Sequence, residues 1–217
     1  NYTLFSEYVD VVPDPDKMTK VLRTVRRQIS QQAYEYIMVA AGSRQPDKAD
    51  VIYHFIVYGF ALGSKVTEAL HIPCVQRIFE IYRKARNEAH YFLEFIRFEE
   101  ISWQDHPVLY AVIEPENEVI DMVADHFTDR LNPEWFIVYD KSHGKAAFHN
   151  PGRRWYMRQL EQRERHVLDE LEHSGGQEYA DLWKAFFDSI AIKERENSGL
   201  QRTNLPLHYR KHMTEFH

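Results

Sequence analysis

The sequence predicts an α+β fold that is mostly helical, with a small antiparallel sheet of about four strands inserted between two helical parts. Three observations predict it. Apolar residues recur at helical spacing through residues 14–92. Short apolar and aromatic runs separated by turn residues then occupy residues 93–150, and the helical pattern returns over residues 153–217. We expect a single domain over residues 1–217, and because Asn1 is not a methionine we expect that an N-terminal segment is missing.

The first helical part begins with clear capping signals. Asp14 can cap a helix whose first position is Pro15, and Asp16 complements the positive end of the helix dipole. The other elements predicted here are a strand at Leu4–Val12, a break at Gly42–Pro46, a helix from Asp47 or Asp50 to Leu62, a loop with one helical turn at Gly63–Pro73, and a long helix at Cys74–Phe92.

The sheet is expected in residues 93–150. FLEFIRFEEIS and VLYAVIEP are predicted to be two strands around a turn at Gln104–Pro107. NEVIDMVADHFTDRL is predicted to be a helix that buries Val119, Ile120, Val123 and Phe127, and EWFIVYD with KAAFHN to be a β-hairpin. Beyond residue 153, RRWYMRQLEQRERHVLDELEH and EYADLWKAFFDSIAI are both predicted to be helices, separated by SGGQE.

The bulk composition excludes several classes of protein. The chain has 217 residues, a formal net charge of −6 and one cysteine, Cys74. A single thiol excludes an internal disulfide and a cysteine-rich zinc site. No apolar run approaches the roughly 20 residues that span a membrane, and no signal peptide is visible, so we expect a cytoplasmic protein with no membrane partner. The common cofactor and hydrolase motifs are also absent from the sequence, and we expect no cofactor.

Polar residues at the ends of predicted strands suggest a catalytic site. Glu88 and His90 close the long helix, Arg97 lies in the strand that follows, and Glu114 closes the next strand. In the catalytic interpretation Glu88, His90, Arg97 and Glu114 converge at one edge of the sheet, where an acid and an imidazole share proton transfer. In the structural interpretation the same residues form an ion-pair network between helix and sheet, because such networks use the same residue types. No metal is expected, since the helix around Asp125 supplies only two carboxylates at helical spacing.

Basic stretches stand out in an acidic chain. They cover residues 17–27, 153–165 and 190–212. In the second stretch Arg153 and Arg154 adjoin Trp155 and Tyr156, a mixture of guanidinium and aromatic groups that suits phosphate contact and base stacking. Ordinary salt bridges on a helix surface are the alternative for the same residues.

An ordered series of motifs resembles one bacterial family along essentially the whole chain. The matching residues are Glu88, His90, Arg97 and Phe98 in EAHYFLEFIRF; Glu114 and Pro115 in AVIEPENEVI; His126, Phe127 and Arg130 in DHFTDRL; Trp135 and Asp140 in EWFIVYD; and Ile192, Lys193, Glu194, Arg195, Asn197, Gln201, Arg202, Pro206 and Tyr209 in the C-terminal block. The series is similar to bacterial proteins described as DNA metabolism or DNA repair proteins, whose shared domain has no assigned activity. At Tyr91, Gly199 and His208 the sequence lacks a basic residue of the family pattern.

The resemblance implies a role in DNA metabolism. Some relatives carry the domain fused to a uracil-DNA-glycosylase-like domain, and others are encoded beside a radical S-adenosylmethionine protein, so either protein is an expected partner besides DNA. The nucleic-acid-binding residues that it implies, together with those of the basic stretches, are Lys193, Arg195, Asn197, Gln201, Arg202, Tyr209, Arg210, Arg153 and Arg154. Three hypotheses stay open at this point: a DNA-binding accessory module, an enzyme that acts on DNA or a nucleotide, and a module that binds only proteins.

Overall fold

The fold is α+β, as the sequence predicts. The computed structural model describes residues 12–103, 106–171 and 204–213. These residues form two compact units. The first contains the helices before residue 81, and the second contains the sheet, the later helices and the short segment 42–45. The expectation of a single domain stays a prediction. The strand predicted at Leu4–Val12 and the helix predicted in EYADLWKAFFDSIAI lie outside the described residues, except for Val12.

The first unit is helical. Asp14 caps its first helix by accepting hydrogen bonds from the backbone N–H groups of Asp16 (3.1 Å) and Lys17 (3.0 Å). Its elements are α1 (Pro15–Gln28), α2 (Gln31–Ala41), α3 (Lys48–Leu62), a 3₁₀ helix (Gly63–Glu68) and the first turns of α4 (Pro73–Phe95).

A break separates α1 from α2, and it was not among the elements predicted from the sequence. The sequence contains no glycine or proline there, but the helix ends at Gln28 and Ile29 adopts a non-helical conformation. The hydroxyl of Ser30 then accepts a hydrogen bond from the N–H of Ala33 at 3.0 Å and caps α2. Ile29 is buried against Gly59 of α3, where a Cβ would lie only 2.5 Å from the Ile29 Cδ1 atom. The packing of Ile29 against α3 therefore favours the break.

The second unit is built on a five-stranded mixed sheet in the order β1-β2-β3-β4-β5. Its strands are β1 (Glu99–Trp103), β2 (His106–Ile113), β3 (Phe136–Asp140), β4 (Lys145–His149) and β5 (Tyr156–Gln159), and its helices are α5 (Ile120–Arg130), α6 (Gln162–Leu171) and a 3₁₀ helix (Leu207–His212). The expected antiparallel sheet of about four strands differs from this one in two respects. β2 and β3 are parallel, because α5 connects them as a crossover, and a fifth strand is present.

The fifth strand lies in a segment that the sequence predicts to be helical. RRWYMRQLEQRERHV is rich in good helix formers, and all four residues of β5 are exposed, so no alternation of apolar and polar residues marks it. Pairing with β4 overrides the local preference, with Tyr156 opposite Phe148. The helix begins only at Gln162.

The two faces of the sheet are covered differently. On one face α6 packs through Leu168, whose carbonyl accepts a hydrogen bond from the Tyr110 hydroxyl at 2.8 Å. On the other face Phe127 of α5 contacts the edge of the Phe98 ring, with centroids 4.9 Å apart. The apolar residues predicted to face inward from α5, including Phe127, are buried. Within the described residues, none of the helices is both long enough and apolar enough to cross a membrane.

Candidate nucleic-acid interface

Aromatic and basic side chains lie together on the side of the sheet where several strands begin or end. We call this side the aromatic edge. β2 and β3 begin there, β4 ends there and β5 begins there, as their register shows. Its members are His106, Trp135, Phe148, Arg153, Arg154 and Tyr156. All of them belong to the second unit.

Two stacked ring pairs form the aromatic part of this edge. His106 and Trp135 stack with centroids 6.1 Å apart and planes at 7°. Phe148 and Tyr156 stack at 5.5 Å and 19°. Trp135 is 41% exposed and Tyr156 is 50% exposed. Phe148 is half-buried and packs against the core of the sheet, so one large exposed aromatic ring per pair faces solvent. Exposed aromatic rings grouped on one surface are typical of surfaces that bind another molecule.

Both pairs lie on the same face of the sheet. Phe148 is directly opposite Tyr156 and also opposite Ile137 of β3. Trp135 precedes Ile137 by two residues, and alternation along an extended chain places both on one face. His106 reaches that face in the same way, because Tyr110, four residues later on β2, is opposite Ile137.

Backbone hydrogen bonds hold the arginine loop beside these rings. The N–H of Gly152, which has a φ of +68°, donates to the carbonyl of Asn132 at 3.0 Å, and the N–H of Arg153 donates to Asn150 at 3.0 Å. The side chains of Arg153 and Arg154 are exposed, and neither has an ion-pair partner among the described residues. The following Trp155 is anchored instead, because its Nε1 donates to Asp125 at 2.6 Å.

The electrostatic charge of the edge is small. Arg130, at the end of α5, adds a third exposed guanidinium to Arg153 and Arg154, but Asp129 and Glu134 are close to it in the sequence and are also exposed. With Asp125, which accepts from Trp155, the edge carries three anions against three cations and attracts a phosphate backbone only weakly. Most of any affinity for nucleic acid must therefore come from ring contacts.

Glu88 has a structural role in holding a loop. It is 6% exposed, and its carboxylate accepts hydrogen bonds from the backbone N–H groups of Glu116 (2.5 Å) and Asn117 (3.1 Å) and from the Asn117 side-chain amide (2.5 Å). The Asn117 oxygen accepts in turn from the N–H of Arg44 at 3.1 Å. These bonds fix the loop between β2 and α5 to helix α4.

His90 and Arg97 lie apart from this clamp. His90 is two residues from Glu88 and therefore on another face of α4, where its exposed imidazole pairs with Glu94 at 3.1 Å. One terminal nitrogen of Arg97 donates to the carbonyls of Phe95 and Ile96, both at 3.2 Å. The structure thus does not bring His90 and Glu88 together. Arg97 lies between α4 and β1 rather than in the strand, where it was expected, and its side chain binds carbonyls at the end of α4.

Glu114 pairs with the C-terminal segment, residues 204–213. Its carboxylate accepts hydrogen bonds from the Lys211 ammonium at 2.6 and 2.7 Å and lies 3.2 Å from His212 Nε2. Burial raises the pKa of Glu114, but the hydrogen bond and charge of Lys211, aided by His212, outweigh burial and lower the pKa below its ordinary value. The contacts of Glu114 with Lys211 and His212 hold residues 211–212 at the carboxyl end of β2.

Tyr209 and Arg210 anchor the same segment. Tyr209 is 8% exposed, and its ring packs against Tyr91 and Phe92 of α4 with centroid distances of 5.1 and 5.0 Å. Burial, and next the negative charge of Glu88, raise the pKa of its hydroxyl. Arg210 Nε donates to the Leu205 carbonyl at 3.3 Å. Both residues were expected to bind nucleic acid, and the described contacts of both are internal.

A small pocket lies under this segment, lined by Phe92, Ile113, Glu114, Tyr209 and His212 among others. Its free space is about that of one water molecule, whereas sites for small ligands enclose about 300 Å³ or more. The pocket is therefore a packing defect between the segment and the sheet.

A second polar pair lies at the turn between β3 and β4. Asp140 is fully buried and accepts hydrogen bonds from the backbone N–H of His143 at 3.0 Å and from its Nδ1 at 2.7 Å. Burial raises the pKa of Asp140, against the opposing effect of these hydrogen bonds. The carboxylate accepts hydrogen bonds from donors in the turn between β3 and β4, which explains why an aspartate ends this buried strand.

The other predicted binding residues, Lys193, Arg195, Asn197, Gln201 and Arg202, lie outside the described residues. Across ranges 12–103, 106–171 and 204–213, no three His, Cys, Asp or Glu side chains form a group that could hold a metal ion. Trp135 and His106 were not predicted from the sequence as members of one surface. Trp135 follows a turn rich in polar residues, but only the pairing of β2 with β3 brings it to His106.

The comparisons with known proteins give a family. The family model described as "Domain of unknown function (DUF4130)" matches residues 46–215, well over half of the chain. The comparisons with curated proteins and with solved structures gave no match. The chain belongs to the DUF4130 family, a domain of unknown function.

Proposed function

We propose that this protein is a DNA-binding accessory module of DNA metabolism that binds DNA through the aromatic edge. The observation that carries the proposal is the position of Arg153 and Arg154, exposed and without ion-pair partners among the described residues, beside the ring pair Phe148–Tyr156. Guanidinium groups that contact phosphates next to rings that contact bases are the usual components of such a surface.

The resemblance to DNA metabolism and DNA repair proteins supports the same proposal. It also supports a partner, either a glycosylase-like or a radical S-adenosylmethionine protein, that performs chemistry on the bound DNA. The formal net charge of −6 agrees with an accessory role, because an acidic protein is repelled by DNA and is less suited to bind it without a partner.

Fluorescence anisotropy with a labelled oligonucleotide tests the proposal. If Arg153 and Arg154 each contact one phosphate of a single strand, the slope of log K against log salt is about −1.4 from these two contacts, and their share of the affinity falls about sevenfold between 50 and 200 mM salt. The double variant Arg153→Ala/Arg154→Ala should weaken binding at 50 mM salt and reduce this slope.

A matched control separates the effect of losing Arg153 and Arg154 from the effect of changing the net charge. Arg83 and Arg86 are exposed on α4, and removing them changes the net charge by the same amount. The variant Arg83→Ala/Arg86→Ala should bind like the wild type. Equal loss in both double variants, or no binding by the wild type at 50 mM salt, would contradict the proposal.

The basic face of α1 offers a second surface for the same function. Lys20, Arg23 and Arg27 are exposed at helical spacing, and the described residues provide no ion-pair partner for them. Replacing all three by Gln in the same anisotropy assay shows whether α1 contributes. Loss of binding in this variant but not in Arg153→Ala/Arg154→Ala would move the interface from the second unit to the first.

A further inference from the structure

We propose that the aromatic edge selects single-stranded over double-stranded nucleic acid by stacking unpaired bases on its two ring pairs, His106–Trp135 and Phe148–Tyr156. This inference rests on the proposed function and adds the class of nucleic acid that is bound.

The first argument is the accessibility of ring faces. In a duplex every interior base is stacked on both sides, so a protein ring can reach a base face only at an end or after unpairing. A single strand can turn its bases outward onto aromatic side chains. Trp135 and Tyr156 keep about half of their surfaces exposed while their inner faces rest on His106 and Phe148.

The second argument is the rigidity and spacing of the two pairs. Each outer ring is supported by a ring on a neighbouring strand, so little side-chain entropy is lost when a base stacks on it. Trp135 precedes β3 and Tyr156 begins β5. They are two strand spacings apart across the sheet and two residues apart along it, or about 12 Å. Bases of one flexible strand can occupy both positions, whereas a duplex keeps its bases 3.4 Å apart along a stiff axis.

The third argument is the charge balance. A duplex binder that makes no base contacts depends on neutralising many phosphates. Here the three exposed arginines are balanced by three exposed carboxylates, which are Asp125, Asp129 and Glu134. This edge is too weakly charged to hold a duplex by its backbone alone, but it can guide a single strand onto the rings.

The test compares a 15-nucleotide thymidine strand, the corresponding 15-base-pair duplex and an abasic strand of the same length and charge, all at 50 mM salt. The wild type should bind the thymidine strand at least tenfold more tightly than either of the others. Trp135→Ala and Tyr156→Ala should each weaken binding of the thymidine strand about tenfold and leave binding of the abasic strand unchanged.

Conservative variants keep the result interpretable. Trp135→Phe retains an aromatic face and should recover most of the affinity lost in Trp135→Ala, and Tyr156→Phe should bind like the wild type. If Trp135→Ala does not fold, Tyr156→Ala gives the answer alone, since its side chain is exposed on an edge strand.

The outcomes separate this inference from the proposed function. The stacking inference would be overturned if the thymidine and abasic strands bound equally, or if the Ala variants of Trp135 and Tyr156 bound like the wild type. The proposed function would still stand in that case if Arg153→Ala/Arg154→Ala weakened binding. Absence of binding to all three oligonucleotides would overturn both.

Discussion

The Glu88 clamp gives the prediction whose size follows most directly from the structure. Glu88→Ala removes a buried carboxylate that accepts three hydrogen bonds from Glu116 and Asn117, at 2.5, 3.1 and 2.5 Å. Asn117 is 2% exposed, so its two donors would lose their partner without gaining water, while the backbone at the exposed residue Glu116 can bind solvent.

The magnitude follows from these contacts. Hydrogen bonds to a charged group contribute about 1.5–3 kcal/mol each, and two of the three cannot be replaced by water, so the free energy of unfolding should fall by about 3–6 kcal/mol. Glu88→Gln keeps one acceptor oxygen but turns an amide N–H₂ toward one donor. Its loss should be smaller, about 2 kcal/mol.

Urea denaturation followed by circular dichroism measures both values. Glu94→Gln is the matched control, because Glu94 lies on the same helix but pairs with His90 in solvent, with side-chain exposures of 48% and 68%. Its effect should stay below about 0.5 kcal/mol. If Glu88→Ala costs no more than Glu94→Gln, the clamp does not stabilise the loop, and a catalytic role for Glu88 regains support.

Three further predictions concern the sheet and the C-terminal segment. Gly144→Ala should destabilise the protein by about 1–2 kcal/mol in the same urea assay, since Gly144 has a φ of +61°, whereas the Arg165 guanidinium that a Cβ would meet can move aside. An Ala variant as stable as the wild type would contradict the left-handed conformation of Gly144. Glu114→Gln should lower stability at pH 7, and the difference from the wild type should vanish as the pH falls from about 4.5 through the lowered pKa of Glu114, because only the ionised form pairs with Lys211; a difference that persists at pH 3 would contradict the ion pair. For Asp140 the sign is opposite. Its pKa is raised, so the stability of the wild type relative to Asp140→Asn should fall as the pH rises above 3.8, which thermal unfolding at several pH values can measure. A stability that rises over that pH range would contradict burial as the main influence on this pKa.

Elements whose signals are local were predicted well from the sequence. The Asp14 cap and Pro15 define the start of α1, and the inward stripe of α5 needs only the 3.6-residue period. The β3–β4 hairpin is marked by its turn, which contains Gly144 with a positive φ. In each case the physical cause lies within a few residues of the element.

Features that depend on distant pairing were not predicted. β5 is exposed along its length, so only its partner β4 makes it a strand. The parallel pairing of β2 with β3 follows from the path of α5, and it is this pairing that places Trp135 on His106. No local pattern carries that information.

Helical spacing alone indicates that Glu88 and His90, two of the candidate catalytic residues, lie on different faces of α4. Glu88 adjoins Ala89 and is three or four residues from Ala85 and Phe92, so it lies on the buried stripe of α4 and needed an internal partner. His90 lies off that stripe, and its exposure follows from the same spacing. The convergence of Glu88 and His90 was therefore unfavourable on geometric grounds alone.

Ultraviolet crosslinking of the wild-type protein to a 15-nucleotide thymidine strand, with the crosslinked peptides identified by mass spectrometry, tests the central claim most directly. Crosslinks should fall on the peptides that contain Trp135 and Tyr156 at the aromatic edge, and excess unlabelled thymidine strand should abolish them while the duplex does not. Crosslinks confined to α1 or to other parts of the chain, with the Trp135 and Tyr156 peptides unmodified, would contradict the claim.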